Sequence, residues 1–172
     1  AALRQELEQS EKDKSELLMI VDLERNDLNR VCRPGSVKVT ELFTVETYAT
    51  VFHLVSNIQG QLAEGMDVTD LLKSAFPGGS ITGAPKYRAM EIIDQLENNK
   101  RGTYGGAIGY LDFTGNLDVC IAIRLAFQKN GKVFVRSGAG IVADSVPEKE
   151  YQECINKAQA VVSALELAQK EK

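Results

Sequence analysis

Two short turn sequences constrain the fold of this 172-residue chain more than any other feature. Residues 114–116 (Thr-Gly-Asn) and 129–131 (Lys-Asn-Gly) place glycine beside a polar residue, a pattern that favours tight hairpins. Such turns join antiparallel strands, because parallel neighbours need a long crossover. The flanking segments 105–113, 118–128 and 132–137 are therefore predicted to form three antiparallel strands.

Helical patterns surround the predicted strands. Residues 2–30 carry an apolar stripe opposite charged side chains, which predicts a helix. Two strands are predicted at 37–47 and 51–58, followed by a short helix capped by Asp67 and a helix beginning near Pro85. A last long helix completes the order. The sequence thus predicts an α+β fold with antiparallel sheets and covering helices.

The composition excludes several classes of protein. The chain has 20 Lys and Arg against 24 Asp and Glu and no basic cluster, which argues against nucleic-acid binding through phosphates. No apolar run is long enough to cross a bilayer, so no membrane partner is expected. Three widely spaced cysteines without a CxxC pair predict reduced thiols in a cytoplasmic setting.

The single histidine, His53, excludes every two-histidine metal motif. It also leaves one conventional group for proton transfer near neutral pH. Its apolar neighbours make a hydrogen-bonded core or edge histidine the default interpretation.

Two glycine-containing segments could receive an anionic ligand. Residues 77–86 (Pro-Gly-Gly-Ser-Ile-Thr-Gly-Ala-Pro-Lys), called here the glycine-rich loop, lack both nucleotide-binding glycine motifs. The loop offers hydroxyls at Ser80 and Thr82 and backbone amides that lead into a helix, which suit a carboxylate. Residues 137–140 (Ser-Gly-Ala-Gly) allow a ligand to approach the backbone closely. The alternatives are a simple turn for the first segment and a sheet corner or bulge for the second.

Several carboxylates could bind a hard metal ion. Glu150, Glu153 and Lys157 share one face of the last predicted helix. A solvated ladder of ion pairs is the default interpretation, and a Mg²⁺ site completed by substrate oxygens is the alternative. Glu16 interrupts the apolar segment 15–23 and needs a partner if it is buried.

Arg124 lies inside the predicted strand 118–128. Strand alternation would place it on the face of Ala122 and Ala126, where small neighbours leave room for a carboxylate ligand beside the guanidinium. An exposed strand arginine is the alternative.

Five segments occur in an order that resembles the chorismate-utilising enzymes. They are 20–27 (Ile-Val-Asp-Leu-Glu-Arg-Asn-Asp), 53–56 (His-Leu-Val-Ser), the glycine-rich loop, 138–142 (Gly-Ala-Gly-Ile-Val) and 150–153 (Glu-Tyr-Gln-Glu). The resemblance is to the C-terminal part of component I of aminodeoxychorismate synthase and of anthranilate synthase, and it extends over about 12–165. It implies that residues 1–172 are the C-terminal portion of a chorismate-binding catalytic domain, a fragment that is expected to be inactive alone.

The resemblance also implies the roles of individual residues. Glu16 and Glu153 are similar to the two glutamates that bind Mg²⁺, and Glu150 to an acidic residue that reaches the metal through water. His53 and Ser80 match active-site residues of the family. The residues that match its substrate-binding positions are Tyr104, Arg124, Gly138, Ala139, Gly140 and Lys157.

The resemblance to these two synthases implies amination of chorismate with ammonia from a glutamine amidotransferase subunit or domain. Isochorismate and salicylate synthases share the scaffold, but the sequence of residues 83–86 (Gly-Ala-Pro-Lys) favours the aminating enzymes. The family motif that separates the two products lies upstream of Ala1. The sequence of the glycine-rich loop and of residues 35–43 favours 4-amino-4-deoxychorismate, a precursor of para-aminobenzoate and folate. The alternatives are anthranilate formation in tryptophan biosynthesis and, from another class, a non-catalytic chorismate-binding fragment.

Overall fold

The computed structural model describes residues 2–48 and 51–170. The chain divides into two compact units, Ala1–Ile93 and Asp94–Lys172. Helices and small antiparallel sheets make up the described part, which confirms the predicted α+β fold class.

The first unit contains most of the helices. Its elements are α1 (Ala2–Gln9), α2 (Glu11–Asn29), β1 (Lys38–Thr47), β2 (Phe52–Gln59), α3 (Val68–Ala75), α4 (Gly79–Thr82) and the start of α5 (Lys86–Leu96). The single helix predicted over 2–30 is wrong at one point, because Ser10 separates α1 from α2. The Ser10 hydroxyl accepts a hydrogen bond from the Asp13 amide at 3.2 Å, so a capping residue starts the second helix.

Strands β1 and β2 were both predicted from the sequence, and in the structure they pair as an antiparallel hairpin. The register runs from Lys38 opposite Gln59 to Thr47 opposite Phe52, with irregular pairing between Val39 and Thr44. This hairpin carries His53 on its second strand.

The predicted helix cap at Asp67 is confirmed and forms a capping box. The Asp67 carboxylate accepts hydrogen bonds from the amides of Thr69 and Asp70 at 2.7 and 3.1 Å, and the Asp70 carboxylate accepts one from the Asp67 amide. These bonds satisfy amides that a helix leaves unpaired at its start, and they lower the pKa of Asp67.

The second unit contains two separate hairpins and a long helix. Its elements are β3 (Ala107–Leu111), β4 (Leu117–Ile121), β5 (Ala126–Lys129), β6 (Lys132–Val135) and α6 (Pro147–Lys170). Strand β3 pairs with β4 and β5 pairs with β6, all antiparallel, through the two predicted turns. The single strand predicted over 118–128 is wrong, because the chain leaves one hairpin after Ile121 and enters the other at Ala126. Arg124 has a φ of 54° in this connection, which interrupts extended structure.

Most of the small apolar core lies in the first unit. Among the described residues, Val21, Val31 and Cys32 are the buried apolar side chains there, and Ala122 is the one in the second unit. A Cβ at Gly60 would lie 2.7 Å from the Cys32 Sγ, so this close packing requires glycine. All three cysteines are free, as predicted. None of the described helices has the length and hydropathy needed to span a membrane.

Candidate active site

Glu16 lies on an exposed face of α2. Its side chain is 61% exposed, and its carboxylate lies 3.7 Å from the Lys12 Nζ. Glu16 is therefore not a buried charge that depends on a fixed partner, and its oxygens are accessible to a ligand.

His53 is exposed on β2, in a two-stranded sheet, and belongs to a small polar cluster. It lies opposite Glu46 in the hairpin register. Its ring meets the ring of Tyr48 edge to face, with 5.5 Å between centroids. The Tyr48 hydroxyl donates to the Glu46 carboxylate, which raises the pKa of Tyr48. Sequence analysis missed these two neighbours, because Glu46 lies opposite His53 only through the pairing of the two strands.

Two buried glycines precede an exposed serine at the start of the glycine-rich loop. Gly78 and Gly79 are buried, and Ser80, the first hydroxyl of the loop, is exposed. A Cβ at Gly79 would lie 2.7 Å from the Leu23 Cδ1, so only glycine allows this approach to α2. The Thr82 hydroxyl donates to the Gly78 carbonyl oxygen at 3.0 Å. Ser80 is thus exposed to solvent, whereas Gly79 next to it packs against α2.

A buried ion pair lies at the end of the glycine-rich loop, and sequence analysis did not predict it. Lys86 Nζ donates to Asp27 Oδ2 at 2.6 Å, and the two side chains are 13% and 5% exposed. Lys86 also donates to the Ser74 carbonyl oxygen at 2.9 Å, and the Ser74 hydroxyl donates to the Asp27 carbonyl oxygen at 2.6 Å. Each residue lies in one of the family-like segments, but nothing in the sequence relates the two positions to each other.

Glu24 is half-buried on α2 next to this ion pair. Burial is the largest cause of a pKa above the ordinary value of 4.5, and repulsion by Asp27 adds to it. The charge of Lys86 and a hydrogen bond from the Gly79 amide act in the opposite direction. Glu24 therefore lies in the same partly buried surroundings as Asp27 and Lys86.

The structure brings several predicted site residues of the second unit together. Lys157 Nζ on α6 donates to the Gly138 carbonyl oxygen at 3.4 Å and forms an ion pair with the Glu153 carboxylate. A Cβ at Gly138 would lie 3.2 Å from the Tyr104 hydroxyl oxygen. The Ser137 hydroxyl donates to a carbonyl oxygen of α6 at 2.7 Å. A tyrosine, an ammonium group and an open glycine backbone thus border one place, which suits a carboxylate ligand.

A second network, also missed from the sequence, supports Tyr104. The Arg136 guanidinium lies 6.0 Å from the centre of the Tyr104 ring. It donates to Glu97 at 2.5 Å and to the Asn99 side chain at 2.7 Å. Hydrogen bonds from Arg101 are the largest cause of the lowered pKa of Glu97, and burial opposes them.

Arg124 lies outside both hairpins, so its predicted place on a strand face with Ala122 and Ala126 is wrong. Ala122 is buried and Arg124 is exposed. Within residues 2–48 and 51–170, the guanidinium has no hydrogen-bond or ion-pair partner. Its five donors are therefore available to a carboxylate ligand.

The carboxylates suit a magnesium site that substrate completes. Glu150 is half-buried and Glu153 exposed, one turn apart on α6. The described part of the chain has no group of three or more His, Cys, Asp or Glu side chains that could hold a metal ion. Mg²⁺ usually binds one or two protein carboxylates together with water and substrate oxygens, so the donor chemistry fits. In the first unit, no hydrogen bond or ion pair between described residues joins Glu16, His53 and Ser80.

Comparison with known proteins gives one consistent family. The chorismate binding enzyme family matches residues 1–163. Anthranilate synthase component 1 of Acetivibrio thermocellus is 56% identical over 167 residues, which cover 97% of this chain and 34% of that protein. Aminodeoxychorismate synthase component 1 of Bacillus subtilis is 51% identical over 170 residues, covering 99% and 36%.

The fold agrees with these relatives. The crystal structure of anthranilate synthase component I from Streptococcus pneumoniae superimposes with a TM-score of 0.87 at 48% identity, covering 93% of this chain and 37% of that chain. The chain spans about a third of the length of the curated relatives it matches.

Proposed function

This chain belongs to the chorismate binding enzyme family, and we propose that it forms part of an anthranilate synthase component I that converts chorismate to anthranilate and pyruvate. The observation that carries the proposal is its high identity to an anthranilate synthase component 1 along almost the entire chain. The agreement of fold with a second such protein supports it.

Aminodeoxychorismate synthase is the second candidate, supported by the Bacillus subtilis relative and by the sequence of the glycine-rich loop. The sequence alone favoured this product. The higher identity and the matching crystal structure both concern anthranilate synthases, so we rank the anthranilate product first.

Chorismate is a dianion, and the proposal assigns its carboxylates to separate groups. Tyr104 and Arg124 would bind the enolpyruvyl carboxylate, since an unpaired guanidinium binds a carboxylate through two parallel hydrogen bonds. The backbone of Gly138, Ala139 and Gly140 would receive a carboxylate, with the Lys157 ammonium beside it at the Gly138 carbonyl. Held in this way, the ring presents a fixed face to the attacking ammonia.

Two residues of the first unit would act near the departing hydroxyl. His53 is the one imidazole of the chain and would donate a proton to the leaving oxygen, which converts hydroxide into water. The exposed Ser80 hydroxyl would hydrogen-bond substrate. Tyr48 and Glu46 border His53 and would limit the orientations of its ring.

Glu150 and Glu153 on α6 would hold Mg²⁺, which when bound neutralises and orients the ring carboxylate. The resemblance also assigns Glu16 of the first unit to the metal. Glu16 and Glu153 each pair with an exposed or half-exposed lysine, so each carboxylate exchanges partners at low cost. A glutamine amidotransferase subunit or domain would supply the ammonia.

Product analysis tests the proposal on the native protein, expressed from its own gene. The protein is incubated with chorismate, Mg²⁺ and ammonia, and the product is identified by mass. Anthranilate would support the proposal, and 4-amino-4-deoxychorismate the second candidate. Binding of chorismate without conversion would overturn both and favour the non-catalytic fragment.

Variants of one helix test the metal assignment in the same assay. Glu153→Gln removes a proposed ligand and should abolish Mg²⁺-dependent turnover. Glu166→Gln, which makes the same change at an exposed position further along α6, is the matched control and should retain it. Full activity of Glu153→Gln would exclude Glu153 as a metal ligand.

A further inference from the structure

The glycine-rich loop is attached to α2 on both sides of Ser80. On the N-terminal side, Gly79 packs against Leu23, where a Cβ would lie only 2.8 Å from the Leu23 Cβ. This first attachment immediately precedes the exposed serine.

The second attachment is the ion pair between Lys86 and Asp27, six residues after Ser80. Leu23 and Asp27 are four residues apart and so lie on the same face of α2. One helix face therefore holds both ends of the segment that presents Ser80.

The lysine uses all of its hydrogen-bonding capacity in this attachment. An ammonium group has three donors, and Lys86 Nζ faces Asp27 Oδ2 together with the carbonyl oxygens of Ser74 and Ala75 at 2.6, 2.9 and 3.5 Å. Three acceptors together restrict the position of Nζ, which a hydrophobic contact would not do. A buried ion pair often adds no more stability than apolar side chains of similar volume. Stability alone therefore does not account for this pair, and its restriction of the loop is a separate role.

We propose that Asp27 and Lys86 are positioning residues, which fix the end of the glycine-rich loop on α2 and thereby hold Ser80 in place for substrate. The inference rests on the proposed function, since it takes Ser80 as a substrate contact. Between the two attachments, Gly83 has a φ of 133°, a conformation that glycine adopts readily. Without the second attachment the segment would sample more conformations, and productive binding would then cost ordering entropy.

Three variants of the native protein separate positioning from stability. Lys86→Met leaves the Asp27 carboxylate buried without its cation and destabilises the fold. Asp27→Leu/Lys86→Met removes both charges together, so its melting temperature should lie within about 4 °C of the wild-type value. Lys100→Met removes a lysine from an exposed pair and is the matched control.

The steady-state constants KM and kcat distinguish positioning of Ser80 from a contribution to stability alone. We expect the double variant to raise KM for chorismate by about tenfold or more, with a smaller change in kcat, while its melting temperature stays near that of the wild type. The control should leave both constants unchanged. A double variant with wild-type stability and a wild-type KM would overturn the inference, because the pair would then serve stability alone.

Hydrogen–deuterium exchange provides a readout that does not depend on the reaction. In the double variant, amides of residues 77–86 should exchange about tenfold faster than in the wild type, whereas those of the β3–β4 hairpin should not change. Unchanged exchange in the loop would contradict the inference. Failure of the proposed function is a different result, namely a wild-type protein that gives no product from chorismate.

Discussion

Both units contain ion pairs between a carboxylate and a basic side chain, but these pairs differ in burial. In the first unit, Asp27 and Lys86 are almost completely buried and join segments 59 residues apart. In the second unit, Glu97 pairs with Arg101 and Arg136, and all three side chains are between a quarter and a third exposed. Water screens the second network and not the first, so burial rather than the number of ion pairs decides how strongly each supports the fold.

The largest expected effect comes from breaking the buried pair. Lys86→Met should lower the free energy of unfolding by about 3–5 kcal/mol, because it leaves a carboxylate in the interior without its cation. Urea denaturation of the native protein measures this change. If Lys86→Met lowers the free energy of unfolding no more than Lys100→Met does, Asp27 is hydrated in solution. The ion pairs of the two units would then contribute similarly to stability.

The half-exposed network should show a pH-dependent effect. Because hydrogen bonds from Arg101 hold the pKa of Glu97 below 4.5, the wild-type protein should be more stable than Glu97→Gln above that pH. The advantage should disappear as the pH falls from 4.5 through the lower pKa of the folded state. Urea denaturation at a series of pH values tests this, and a difference that is constant with pH would contradict it.

The contribution of Glu24 to stability should change with pH in the opposite direction. Since burial raises its pKa, the folded protein holds this proton more tightly than the unfolded chain, and stability falls as the pH rises above 4.5. Glu24→Gln should therefore raise the melting temperature at pH 7, and the gain should vanish below pH 4.5. Glu91→Gln, at an exposed position, is the control. A loss of stability at pH 7 would contradict this prediction, because the charged carboxylate would then stabilise the fold.

The smallest effect is expected at the most exposed pair. Lys12→Met should change the free energy of unfolding by less than about 0.5 kcal/mol, since Lys12 and Glu16 are 85% and 61% exposed. Urea denaturation again gives the value. A larger loss would indicate that Glu16 is less accessible in solution than a metal ligand needs to be.

Local patterns predicted most of the elements. Apolar periodicity, the Asp67 cap and the glycine turns indicated most of the helices and both hairpin turns of the second unit, although Ser10 divides the first predicted helix and α4 was not predicted. The break at Arg124 was not predictable from alternation, because it depends on β4 pairing with β3 and β5 with β6. Alternation describes one strand at a time and contains no information on which partner each half of a segment selects.

The sequence predicted which residues belong to the candidate site better than it predicted which of them are in contact. The resemblance identified Lys157 and the glycines beside it, and the structure places Lys157 at the Gly138 carbonyl. The partner of Lys86 was missed, because no local pattern relates two residues 59 positions apart. The exposure of Glu16 was equally hidden, since an apolar neighbourhood in sequence does not establish burial in the fold.

The left-handed backbone of Arg124 has a consequence for side-chain replacement at that position. Alanine would retain a backbone cost of about 1 kcal/mol at this φ, whereas glycine would release it. The two truncations would therefore yield chains of unequal stability, although both lack the guanidinium. Asparagine tolerates the same torsion angles and removes the charge, so it isolates the ionic contribution from the path of the polypeptide between the two hairpins.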